Sequence, residues 1–236
     1  AILCLYSARR PNVKRQSVYL SHITAWAPGI VTESDWKNWT AGSKAIEPVK
    51  DAPKLEYTDP LFRRRLSQLS RMTIQVVHDE LEKSRCKKDI KLIYISTRGE
   101  IEREFTINES IISENMILPA AFSLSVFNAP VALASLAFGL KGGYSVIFPS
   151  KGNFRDAFAG ACAPVLSEEE QKVMLIYADE LVPEAYGCLR PKENVPLAFA
   201  AILSAGKTDE SVCISDISTI EKSTVEFLQR LIRPEA

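Results

Sequence analysis

Ala121-Phe-Ser-Leu-Ser-Val-Phe-Asn-Ala-Pro-Val-Ala-Leu-Ala-Ser-Leu-Ala-Phe-Gly-Leu-Lys-Gly-Gly-Tyr-Ser-Val-Ile-Phe-Pro-Ser-Lys151 is the stretch on which the fold turns. Asn128 leads an apolar helix, and Gly139-Leu140-Lys141-Gly142 makes the turn that ends it. Tyr144-Ser-Val-Ile-Phe148 follows as a strand, and Ser150-Lys151 stand at its exit. Asn153 then has the character of a helix cap. The helix it leads carries a face of Ala157, Ala159, Gly160, Ala161 and Ala163, small enough for close approach and therefore central. Lys141-Gly142-Gly143 lacks the remaining glycines and the Lys-Ser/Thr ending of a phosphate loop, so it reads as a tight turn.

Working outward, the pattern repeats. Lys172 to Ala178 is a near-continuous apolar strand closed by Asp179-Glu180, and Val195 to Leu203 and Ser211 to Ile217 are two more. Glu221 to Ile232 supplies a last amphipathic helix. Upstream, Ile90 to Thr97 is a strand that ends in Arg98-Gly99-Glu100, and Asn108 is expected to cap a short helix through Asn115. From Pro60 to Arg85, Leu61, Phe62, Leu66, Leu69, Ile74, Val77 and Leu81 recur at helical spacing, with Arg63, Arg64, Arg65 and Arg71 outside the stripe. Ala41 to Asp59 reads as a surface loop, and Thr32 or Ser34 caps a helix bearing Trp36 and Trp39. Val18 to Thr24 is the first strand. Residues 1–16 are expected to be a flexible or non-native extension, and 17–236 one domain. Strands alternating with helices give an α/β layered fold, with a mostly parallel central sheet and helices on both faces.

Composition narrows the function. With 46% hydrophobic and 25% charged residues, a chain of 236 residues is ordinary globular material. Twenty-nine basic residues balance twenty-nine acidic ones, so no global field recruits nucleic acid or a membrane surface. The apolar runs are too short or too broken to cross a bilayer. Cys4, Cys86, Cys162, Cys188 and Cys213 show neither paired nor metal-ligand spacing, which fits the reducing cytoplasm.

The Asn128 to Lys151 segment resembles the nucleophile-bearing segment of the β-ketoacyl-ACP synthases of the thiolase superfamily. In that family an Asn-led helix, a Gly-Leu-basic-Gly turn and a buried strand deliver a catalytic cysteine at the tip of the next helix. Here Lys151 occupies the place expected for the cysteine, and a lysine cannot form the acyl thioester that Claisen condensation requires. The likeness is best from about Ile90 to Glu180 and implies a thiolase-like layered fold, N-terminal half only. The family's two catalytic histidines, which polarise the thioester carbonyl and promote decarboxylation, belong to the second half.

What the resemblance implies is a non-catalytic chain-length-factor subunit of the kind found with aryl polyene biosynthesis. Such a subunit forms a heterodimer with a Cys-His-His β-ketoacyl-ACP synthase and shapes its acyl or polyene tunnel in fatty acid or polyketide-type biosynthesis. The Tyr144 to Phe148 strand and the Ser123 to Leu140 region are the expected contact. Phe127, Asn128, Ala129, Pro130, Phe105, Ile107, Thr97, Arg98 and Glu100 are the candidates for tunnel and interface. No cofactor or metal is implied, since substrates arrive on an acyl carrier protein through the partner. That carrier is a second candidate partner, with Arg63 to Arg65 as a docking patch.

Two other readings stand beside this one. A self-sufficient acyltransferase or decarboxylase would use Lys151 as an amine nucleophile of depressed pKa, or Cys162 as a displaced thiol, about three helical turns on. A pure scaffold would stabilise a ketosynthase without touching substrate. Lys151 reads either as a plain surface or interface lysine or as an ammonium paired with Asp156 or a partner carboxylate. His22 and His78 have no cysteine or carboxylate at motif spacing and read as structural. Cys162 reads as a small buried hydrophobe.

Overall fold

A computed structural model describes residues 17–116 and 119–233. The sequence reading of residues 1–16 lies outside them. Among the described residues, β1 (Val18–Trp26), β2 (Lys91–Ile95), β3 (Tyr144–Ile147), β4 (Lys172–Asp179), β5 (Leu197–Ser204) and β6 (Val212–Ile214) form one sheet in the order β3-β2-β4-β5-β1-β6. β2 pairs in parallel with both β3 and β4, while β5 is antiparallel to β4 and β1, and β6 is antiparallel to β1. β1, β2, β3 and β4 therefore run one way, and β5 and β6 run back.

Strand periodicity divides the interior into two cores. Along β4, Val173, Leu175 and Tyr177 enter one core while Met174, Ile176 and Ala178 enter the other, and β5 alternates in the same way. The first core is closed by α1 (Glu33–Thr40), α7 (Phe154–Leu166) and α8 (Thr224–Ile232). Its centre is aromatic: the Phe154 ring lies 4.8 Å from that of Phe227 and 6.1 Å from that of Phe199. The second core is closed by α3 (Gln68–Ser84) and α6 (Ala129–Phe138), which bury Leu69, Met72, Val76, Val131 and Ala134 against the sheet.

Several element boundaries depart from the sequence reading. The amphipathic run from Pro60 to Arg85 is two helices: α2 (Pro60–Arg63) ends early, and Ser67 starts α3 by accepting from the Ser70 amide at 3.0 Å. The hydrophobic stripe crosses this break without showing it. Asn108 caps nothing. It lies inside α4 (Ile101–Glu114), which begins after Glu100 and ends at Asn115 in the left-handed conformation. Asn153 precedes α7 without bonding its amides through the side chain. Thr32, by contrast, forms a full capping box with Asp35.

One buried group sets a pH dependence. Glu80 on α3 is fully buried, its Oε2 lies 3.4 Å from the Thr24 hydroxyl, and its Oε1 has no partner. Burial, reinforced by Asp79 and opposed by Lys83 and Thr24, pushes its carboxyl up to about 9 from the ordinary 4.5. The native chain then holds a proton that the unfolded chain has released, so this group erodes stability as pH rises from about 4.5 toward 9. Replacing Glu80 by Met should add about 2 kcal/mol at pH 8 and little at pH 5. Urea unfolding of both proteins at the two pH values checks this, and an equal difference at both would contradict it.

Candidate functional site

The strand-turn-helix from β3 to α7 builds the first part of the site. After Phe148 and the buried Pro149, a single 3-10 turn (Ser150–Gly152) carries Lys151 in the left-handed region at φ 54°, ψ 28°. A lysine holds that conformation at a cost of about 1 kcal/mol, so the surrounding structure imposes the bend. The base of α7 is anchored opposite: the Phe154 amide donates to the Lys222 carbonyl at 2.9 Å, and Arg155 donates to that of Ile220. The Lys151 side chain is left exposed at the tip, with no partner among the described residues and none from Asp156.

The other candidate groups, Cys162 and the two histidines, lie away from this bend. Cys162 is fully buried on the inner face of α7, and desolvation pushes its thiol up to about 12. His78 stacks on Tyr57 at 3.8 Å on the far side of the sheet. His22 sits in a bulge of β1, in the left-handed region, with its Nδ1 buried and unpaired.

The strand ends beside this bend carry a hydrogen-bonded network. The Asp179 carboxylate accepts from the Ser96 hydroxyl at 2.7 Å, the Thr97 amide at 2.9 Å, the Thr97 hydroxyl and the Tyr177 hydroxyl at 2.7 Å. Arg98 lies against the same carboxylate at 3.9 Å and donates to the carbonyls of Glu180 and Glu193 and to Asn194 Oδ1. Thr97, Arg98, Tyr177, Asp179 and Gly152 line a hollow of 620 Å3 whose other wall is the segment from Val182 to Val195. Arg98 is thus a clasp on that segment as well as a wall.

Asp179 and Glu180 do not act as a pair. They occupy successive positions, so Asp179 faces the α7 side and Glu180 the α3 side. Glu180 accepts the amides of Leu69 and Glu102, near the starts of α3 and α4, and its carboxyl is raised to about 8 by burial and by Glu100. Glu100 faces the same way: it is fully buried and accepts from Ser67 at 2.7 Å, Ser70 at 2.6 Å and Arg103 at 3.3 Å.

The remaining candidates fall in two places. At the β3 edge, Phe127 packs edge-on to Phe148 at 6.0 Å and covers Gly99, where an added Cβ would stand 2.5 Å from the ring. Asn128 donates to the Tyr144 hydroxyl at 3.0 Å, while Ala129 and Pro130 are buried beneath. On α4, Phe105 leans on Tyr186, and Ile107 lines a separate hollow.

On the β3 edge Phe148 is 62% exposed and Tyr144 is also open, and on the segments before it, from α4 to α6, Ile112, Met116, Phe122, Val126 and Leu136 (75%) are exposed as well. A free strand edge amid exposed large apolar side chains is the mark of an interface. Of the basic cluster, Arg63 donates to the carbonyls of Lys54 and Leu55, whereas Arg64 and Arg65 point their side chains to the surface. Among the described residues no helix is long and apolar enough to cross a membrane.

Comparisons with known proteins agree with this geometry. The family model for the β-ketoacyl synthase N-terminal domain matches residues 36–229. The fold superposes on a chain from the complex of a ketosynthase (ApeO) with its chain length factor (ApeC) from Xenorhabdus doucetiae. The TM-score is 0.75 at 22% identity, covering 93% of this chain and 92% of that one. The ishigamide ketosynthase/chain length factor matches with a TM-score of 0.60 at 10% identity, over 82% of this chain and 64% of its own. A chain from the complex of a type II polyketide synthase acyl-carrier protein with its ketosynthase matches with a TM-score of 0.60 at 16% identity, over 80% and 64%. At these identities the likeness is one of fold, and this chain spans under two thirds of the latter two. No curated protein matches.

Proposed function

The chain belongs to the family of β-ketoacyl synthase N-terminal domains, and from that membership we propose that it is a non-catalytic subunit of the chain-length-factor kind. It pairs with a Cys-His-His ketosynthase in the cytoplasm and helps to shape the tunnel that receives the growing acyl or polyene chain. One observation carries the reading: the bend that should present a cysteine presents an exposed Lys151, directly beside an open, apolar strand edge. The buried, high-pKa Cys162 and the remote histidines argue against independent turnover.

In this arrangement β3 continues the partner's sheet, and Phe127, Phe148 and Tyr144 meet the partner where its tunnel runs. An acyl carrier protein is a transient further partner, for which Arg64 and Arg65 supply a surface. Coexpression with candidate ketosynthases, followed by intact-complex mass measurement, should give a stable complex with one heterologous partner. Condensation of malonyl and acyl thioesters by the purified chain alone would overturn the reading.

Tunnel shaping has its own test. Phe127→Ala removes a half-buried ring over Gly99 and should lengthen the product distribution while the complex stays intact and the partner's cysteine acylates as before. An unchanged distribution would leave a scaffold role only. Ala129→Phe is a poor probe, because Ala129 is 4% exposed and overpacking there costs about 1–3 kcal/mol.

A further inference from the structure

The hollow on the α3 side of β4 is distinct from the strand-end network and from the β3 edge. It measures 410 Å3, with Ile107, Leu181, Ala121 of α5 (Pro119–Phe122) and the stems of Gln68 and Thr106 as apolar wall, and Lys50, Arg103 and Ser67 at its polar side. Two carboxyl groups face into it. Glu180 is 2% exposed and already accepts two backbone amides, one on each oxygen. Glu102 gives one oxygen to Lys50 at 2.6 Å, and its other oxygen is buried without a partner.

We propose that this hollow binds a neutral apolar molecule bearing a hydroxyl group, the hydroxyl donating to Glu102 Oε2 and accepting from the Glu180 carboxyl. The inventory of groups selects that chemistry. A buried oxygen with no donor leaves an acceptor to be satisfied. Glu180, its carboxyl raised to about 8, holds its proton at neutral pH and has that proton to give. A hydroxyl is donor and acceptor at once and meets both. A carboxylate ligand would bring a further anion beside Glu102 and Glu100, while an ammonium would compete with Lys50 and Arg103, which already answer those two acids. The lining supplies hydrophobic affinity for the rest of the molecule, and the volume lies within the range of small-molecule sites.

The site is contained in this chain, so the proposal stands or falls without the partner. The probes are 1-heptanol, heptanoate and heptylamine, titrated at pH 7 into the purified full chain and followed by ligand-observed NMR. Heptanol should bind saturably and at least about tenfold tighter than either charged analogue. Ala121→Phe, which fills the hollow, should abolish that binding without unfolding the chain. Should Ala121→Phe fail to fold, Thr106→Trp narrows the same space from the exposed side of α4. Equal affinity for the three probes, tighter binding of heptanoate, no saturable binding, or binding that survives both substitutions would each overturn the assignment.

Discussion

Gly142→Ala should cost the fold about 3 kcal/mol and lower the melting temperature by roughly 6–12 °C. Its cause is backbone against backbone. A Cβ on Gly142 would stand 2.2 Å from the Asp89 carbonyl oxygen and 2.3 Å from the Ile90 carbonyl, neither of which can swing aside as a side chain can. Relief requires the turn between α6 and β3 to move off the Lys88–Ile90 segment. That would break the bond from the Lys141 amide to the Lys88 carbonyl at 2.6 Å, and the bond from the Leu92 amide to Gly143 at 3.0 Å. Among the described residues β3 is held to the sheet by β2 alone, which leaves its register without a second support there. Differential scanning calorimetry of the variant checks the prediction, and a shift under about 2 °C would show that the close approach is not structural. Gly143→Ala is the control, for it meets no neighbour within 4 Å and is strained only by its φ of 74°.

The double substitution Tyr144→Asp, Phe148→Asp should weaken assembly with the proposed ketosynthase partner at least about 100-fold, near 3 kcal/mol. Both side chains are open in the isolated chain, Phe148 at 62% and Tyr144 at 39%, so neither change removes much buried area from this fold. The stability of the chain alone should stay within about 1 kcal/mol of the parent, as for surface substitutions generally. Two carboxylates carried into a strand edge that assembly desolvates, however, lose their hydration there, and the apolar surface around them returns little of it. Size-exclusion chromatography of the coexpressed pair, with calorimetry of the variant chain, separates lost assembly from lost folding. A complex that persists would place the interface elsewhere on the surface.

These two predictions also mark what was legible in the chain. Gly139 to Gly142, the Tyr144 strand and Lys151 were readable because turn glycines and a short β-branched run leave a local imprint, and the bend after them is equally local. The alternation along β4 was readable for the same reason. Break points were harder: the stripe from Leu61 to Leu81 keeps its period across Ser67, and only the Ser67 cap reveals where one helix stops and another begins. Asn108 misled because asparagine is as good at a cap as it is tolerable on an exposed helix face. The Asp179 network needed tertiary structure, since Ser96, Thr97, Arg98, Tyr177 and Asn194 reach it from separate segments. No spacing in the sequence predicts that Arg98 fastens the Val182 to Val195 segment.

Because Asp179 and Glu180 are neighbours that look in opposite directions, a single peptide unit is shared as the partition between two chambers of different character. Losing or gaining one residue near this point would trade the acids' places, handing the acid held by Ser96, Thr97, Arg98 and Tyr177 to the oily chamber and the acid of raised pKa to Arg98. Drift in length is therefore tolerable in the segment after Pro183 but not within the last turn of β4's pleat, where sequence change is confined to substitution.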